Sequence, residues 1–233
     1  MTTPARRHQM RVLAEQAAKA APPGDEVVGS AYELMLAQLY DHRRTLKAIQ
    51  SVERKIEAKR AFLPLYEDWL TGALAGGQGG QDVVLTSLMV WHFDCGSWAR
   101  GMELAAYALA HGLTLPDQYN RDLTTLLIDE ASTAALAGKL VGDEAMRVLA
   151  EVDQLTDGRD APDQARAKLH KAIGYALMGK SPTHEPDLAT LDLSRAHLAM
   201  QQLQRAHELF AQVGVKKDME RLERRLKADA PTT

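Results

Sequence analysis

The 233-residue sequence predicts an all-α chain, a long basic N-terminal helical region followed by a helical-hairpin body, and three observations carry that prediction. Apolar residues recur at spacings of three and four along nearly every segment. No stretch shows the period-two alternation of a half-buried strand. Gly and Pro clusters punctuate the chain at separations that suit helix boundaries. A chain of this length can bury a real core, as one large domain or as two small ones.

Met1 to Ala21 reads as a short amphipathic helix, closed by the linker Pro22-Pro23-Gly24-Asp25. From Ser30 to Leu63 there is no Gly or Pro. Ser30 and Glu33 form an S-x-x-E pair, in which the Ser side chain accepts from a first-turn N–H and the Glu reaches back to the cap, so a helix is expected to start there. Tyr32, Met35, Leu39, Leu46, Ile49, Ile56 and Leu63 then line one stripe, interrupted by His42, Glu53 and Arg60. One long helix, or two with a hidden break, must bury this stripe against a partner. Leu39, Leu46, Ile49 and Ile56 are therefore the candidates for an oligomer contact.

Pro64 can open the next helix, with Leu65, Trp69, Leu70 and Leu74 as its apolar face, before Gly76-Gly77-Gln78-Gly79-Gly80, a hinge candidate. That loop lacks the Lys-Ser/Thr of a phosphate-binding loop and follows no strand, so it reads as a connector. Asp82 can cap a helix that is apolar on most sides from Val83 to Phe93 and so belongs in a core. Ser97 caps another through Leu109, which Gly112 ends and Pro116 keeps from resuming. Further helices are expected from about Arg121 to Leu136, Asp143 to Leu155, Pro162 to Met178, Asp192 to Val213 and Val215 to Lys227.

Charge is unevenly placed. Residues 1–62 hold 11 basic and 7 acidic side chains, residues 63–190 hold 9 and 18, and residues 191–233 hold 8 and 6. Three segments follow: a basic DNA-binding or oligomerisation region at 1–63, an acidic helical core at 64–190, and a C-terminal hairpin at 191–233 open to a partner. The basic residues concentrate between Asp41 and Arg60, with seven Lys/Arg against three acids. Arg6, Arg7 and Arg11, with Arg43, Arg44, Lys47, Arg54, Lys55, Lys59 and Arg60, are the candidate phosphate contacts, which give affinity without sequence preference.

A single cysteine, Cys95, cannot form an intrachain disulfide and suits a reducing compartment. No apolar run approaches the roughly 20 residues of a membrane span, and no hydrophobic signal core follows the N-terminal arginines, so a soluble intracellular protein is expected. The eight histidines form no H-E-x-x-H or Cys/His set, so no metal ligands are assigned. Magnesium nucleases need converging carboxylates, whereas Glu67 with Asp68 and Asp129 with Glu130 are adjacent pairs, about 100° apart on a helix. No catalytic residue is assigned. Trp69, Trp91 and Trp98 lie in the apolar middle and are expected to be core.

Longer strings carry a family likeness. They include Pro4-Ala5-Arg6-Arg7-His8, Arg44-Thr45-Leu46-Lys47-Ala48-Ile49, Gly79-Gly80-Gln81-Asp82 with Met89-Val90-Trp91, and Ala105-Ala106-Tyr107-Ala108-Leu109 with Gly112-Leu113-Thr114-Leu115-Pro116. Arg166-Ala167-Lys168-Leu169-His170-Lys171, Gly214-Val215-Lys216-Lys217 and Glu220-Arg221-Leu222-Glu223-Arg224 continue the series. Keeping their order over almost the whole chain, these strings resemble the GpM-type small terminase subunit of tailed bacteriophages, the terminase endonuclease subunit family. The resemblance implies a subunit that recognises packaging-site DNA and recruits or regulates the large ATPase subunit during viral genome packaging. Its expected partners are double-stranded phage DNA, the large subunit and further copies of itself in a ring, in the cytoplasm of the infected bacterial host and with no membrane. No cofactor is expected, with Mg²⁺ entering only under the alternative that this subunit is the endonuclease its family name describes. A second alternative is a helical protein-interaction scaffold.

Overall fold

The computed structural model describes residues 3–116 and 119–228. Met1 and Thr2 of the first expected helix and residues 229–233 of the C-terminal segment lie outside them. Eleven α-helices are present among the described residues, and no strand is formed there. They are α1 Pro4–Ala20, α2 Ser30–Ala48, α3 Val52–Phe62, α4 Glu67–Gly76, α5 Val83–Asp94, α6 Trp98–Ala110, α7 Leu123–Leu136, α8 Gly142–Thr156, α9 Asp163–Met178, α10 Leu193–Leu209 and α11 Lys216–Ala228. The chain divides into two compact units, Met1–Leu123 and Thr124–Thr233. The segments drawn from charge fall elsewhere, because α1 lies on α4 across position 63 and α9 lies on α10 across position 190.

In the first unit, α5 is the axis of the core. Every residue from Val84 to Phe93 is buried, as its all-round apolarity requires. Asp82 caps it as expected, accepting from the Leu85 N–H at 2.9 Å and from the Trp69 indole N–H at 3.2 Å. Around α5, α4 and α1 cross with almost no side-chain spacer. A Cβ on Gly72 would overlap the Arg11 carbonyl and sit 2.7 Å from the Ala14 Cβ, and one on Gly76 would overlap the Glu15 carbonyl. Ala14 and Ala18 of α1 are buried in this contact.

The long basic stretch is two helices. Its break falls at Ile49-Gln50-Ser51, where the Ser51 hydroxyl accepts from the Arg54 N–H and caps α3. At the other end Gly29, with φ 120°, occupies the N-cap position of α2, and Ser30 is already helical with no cap bond of its own. The apolar stripe closes on its own chain. Leu39 is 0% and Leu46 7% exposed, Tyr32 stacks on Trp69 at 5.7 Å, and His42 stacks on Phe62 at 3.7 Å while its Nδ1 meets the Tyr66 hydroxyl at 2.7 Å. Ile49 and Ile56 are half-buried.

The glycine loop is docked rather than hinged. Gln81 N–H donates to the Asp25 carbonyl at 2.7 Å, Val27 N–H to the Gln81 carbonyl at 3.0 Å, and Gly79 N–H to the Tyr107 hydroxyl at 3.2 Å. Two segments that read as free connectors are thereby laced together, with Gly77 pressed against Tyr107.

In the second unit α9 lies along α10 at Gly174, where a Cβ would clash with Leu203. Leu177, Met178, Leu188, Ala196, Ala199, Leu203, Val215 and Leu222 form one buried cluster of its core. α10 stops at Leu209, short of the expected Val213, because Phe210 is extended. Buried Asp218 then ties α11 to α9 by accepting from the Tyr175 hydroxyl at 2.7 Å and the Lys180 ammonium at 2.5 Å.

Replacing Gly72 with Ala inserts a methyl between two backbones that have no side chain to move aside, and overpacking of this kind costs about 1–3 kcal/mol. Urea unfolding of Gly72→Ala is expected to show a lower midpoint with an unchanged slope; an unchanged midpoint would mean the two helices can separate at no cost.

Candidate nucleic-acid interface

The fold sorts the ten candidate cations into two groups. Arg7 and Arg11, one turn apart on α1, both meet Asp68 of α4, at 3.1 and 3.4 Å. Arg43 donates to the Ser87 hydroxyl at 2.6 Å. Lys59 pairs with Asp94 at 2.5 Å and lies 6.0 Å from the Trp91 ring centroid, and Arg60 donates to the Cys95 carbonyl at 3.3 Å. These five tie segments to one another, although Arg7, Arg11 and Arg60 remain exposed. Arg6, Arg44, Lys47 and Arg54 are exposed, and Lys55 is half-buried. Arg44 is 83% exposed and its one-turn pair with Asp41, at 3.0 Å, is of the surface kind that contributes little. The outward positive charge therefore runs along α2 from Arg44 to Lys47 and resumes at Arg54 on α3.

Tyr40 lies on this face and escapes a reading of the sequence for basic residues alone. Its ring is 56% exposed, and Arg44 and Lys47 follow it at i+4 and i+7, a spacing that is the signal for it. The three tryptophans are all core, as expected. Beside Tyr40 a groove of about 560 Å³ is lined by Glu26, Tyr32, Arg43, Gln81, Val83 and Thr114, among others.

A second, larger cleft of about 910 Å³ lies where α1, α3, α4 and the α5–α6 turn meet, and includes Arg7, Arg60, Glu67, Asp68, His92 and Cys95. Its acids face cations: Glu67 takes Arg100 at 2.7 Å, and Asp68 takes Arg7 and Arg11. His92 is 5% exposed, and neither ring nitrogen has a hydrogen-bond partner. Burial, with the nearby Arg100 charge, pushes its pKa down to about 4. The Cys95 thiol is half-buried, 3.7 Å from the Ile56 carbonyl, and burial together with Asp94 pushes its pKa up.

Asp129 belongs to the other unit, where it meets Lys168 at 3.7 Å. Among the described residues no three His, Cys, Asp or Glu side chains are grouped to hold a metal ion. Glu67 and Asp68 are each paired with arginines.

Among the described residues no helix is long and apolar enough to cross a membrane. Residues 36–164, from within α2 to the first turn of α9, match the family described as phage small terminase subunit. Over 230 residues the chain is 42% identical to a protein of Escherichia phage P2 named "Terminase, endonuclease subunit", covering 97% of this chain and 87% of that protein. No solved structure gives a significant match. The chain belongs to the phage small terminase subunit family.

His92 has a consequence for acid stability. The unfolded imidazole takes a proton near pH 6.5, whereas the folded one stays neutral to about 4, so between those values the unfolded chain binds more protons and stability falls as pH falls. The His92 contribution, on the order of 3 kcal/mol, is intact above pH 6.5 and disappears toward pH 4. His42, whose pKa is also lowered by burial, acts in the same direction. Thermal unfolding from pH 7 to 4 is expected to show a shallower decline for His92→Leu than for the wild type; parallel curves would contradict it.

Proposed function

We propose that this chain recognises packaging-site DNA and brings the large ATPase subunit to it during viral genome packaging, as a homo-oligomeric ring in the cytoplasm of the infected host. Family membership supports the packaging role. The observation that carries DNA contact is the exposed cationic row of Arg44, Lys47 and Arg54, beside which Arg43 and Lys59 are tied to Ser87 and Asp94. Backbone phosphates are the ligands that such a row serves. Because Leu39 and Leu46 are spent inside the subunit, contact between copies falls to exposed apolar residues of the same helices, Leu34 and Val52, beside the half-buried Ile49 and Ile56. The large subunit is assigned to the C-terminal helices, where a groove of about 640 Å³ between α10 and α11 has Met200, Met219 and Leu226 on its floor. Methionines suit such a surface because their flexible side chains adapt to a partner.

The P2 relative's name speaks of an endonuclease. Recognition is the better reading for the isolated chain, since Glu67, Asp68 and Asp129 are paired with cations and among the described residues no three His, Cys, Asp or Glu side chains are grouped.

Two measurements test this. Removing one cation from a phosphate lowers the slope of log K against log salt by about 0.9. Arg44→Gln with Lys47→Gln is therefore expected to lower the slope by about 1.8 and to weaken packaging-site and random duplexes alike; an unchanged slope would assign the row to solvation. In the second measurement the purified chain with Mg²⁺ is expected to leave packaging-site DNA intact. Nicking that disappears in Glu67→Ala with Asp68→Ala would instead make this chain the nuclease.

A further inference from the structure

Among the described residues Tyr40 is the one Phe, Tyr or Trp whose side chain is exposed. The Arg43 guanidinium lies 5.8 Å from the ring centroid and is itself fixed by the Ser87 hydroxyl at 2.6 Å, so a cation sits against the Tyr40 ring. The adjoining groove, about 560 Å³, falls in the range of small-ligand sites, and Glu26 at its margin offers carboxylate oxygens to an exocyclic amine. One and two turns further along α2, Arg44 and Lys47 stand ready for phosphates. An aromatic platform, hydrogen-bonding groups beside it and cations at the spacing of a helix turn are the elements that hold a nucleotide by its base and backbone together.

In an intact duplex the faces of the bases are covered by their neighbours, so a ring of this kind can stack only on a base that is out of the stack. We propose that the groove beside Tyr40 takes an unpaired nucleobase of the DNA, stacked on the Tyr40 ring, while Arg44 and Lys47 hold the flanking phosphates. The site rests on the DNA-binding reading above and adds to it a preference for locally opened or single-stranded DNA.

Fluorescence anisotropy with three DNAs of equal length tests the site: an intact duplex, the same duplex with one bulged 2-aminopurine, and a single strand carrying that base. The wild type and Tyr40→Phe are expected to bind the bulged and single-stranded forms about tenfold more tightly than the duplex, and to quench the 2-aminopurine emission. Tyr40→Ala, at an exposed position that leaves the core untouched, is expected to abolish preference and quenching together while keeping the salt slope. Equal binding of the three DNAs by the wild type, or preference and quenching that survive in Tyr40→Ala, overturns the stacking site and leaves phosphate contact standing. No binding of any of the three overturns both.

Discussion

Two glycines one turn apart on α4, Gly72 and Gly76, let the carbonyl oxygens of Arg11 and Glu15 rest against a neighbouring backbone, and the placement of the N-terminal cations follows from that crossing. Asp68, Gly72 and Gly76 share one face of α4 at intervals of four, and Arg7, Arg11 and Ala18 share the facing side of α1. Dispersion between closely approached backbones holds the middle of the contact, and charge closes one end. α1 is in this way part of the body of the first unit rather than an arm attached to it. Arg7 and Arg11 flank the crossing and reach Asp68 while remaining exposed, as Arg6 does.

The same economy governs α2 and α3. Their inner face meets α5 and the Phe62–Tyr66 region, so that Arg43 and Lys59 become links between helices. A net charge for the segment overstates what a partner meets. The row from Arg44 to Arg54, bent at the Ser51 cap, is exposed and has an aromatic ring at its start.

Helix positions were legible because each helix carries its own three-four pattern, and the Asp82 cap was legible because its acceptor serves a donor three residues away. What escaped lay in contacts between distant residues. Arg7 and Asp68 are 61 positions apart, Arg43 and Ser87 44, and Lys59 and Asp94 35, and no local pattern announces that such pairs will meet. An apolar stripe states that something must cover it but not whether that is the same chain, which is why Leu39 and Leu46 suggested an oligomer and proved to be core. The Ser30 cap failed for a conformational reason, since Gly29 takes the cap position with a φ open to glycine. Ser51 ahead of Glu53 had the chemistry of a helix start and was hidden by the continuity of the apolar spacing.

Cys95 gives the molecule a practical property. Thiol reagents consume the thiolate, and burial together with the Asp94 charge pushes the pKa of this sulfur up. A cysteine introduced on the outer face of α2 or α11 is expected to react ahead of the half-buried native one. Fluorophores or spin labels attached there would report distances within a chain that keeps its own cysteine.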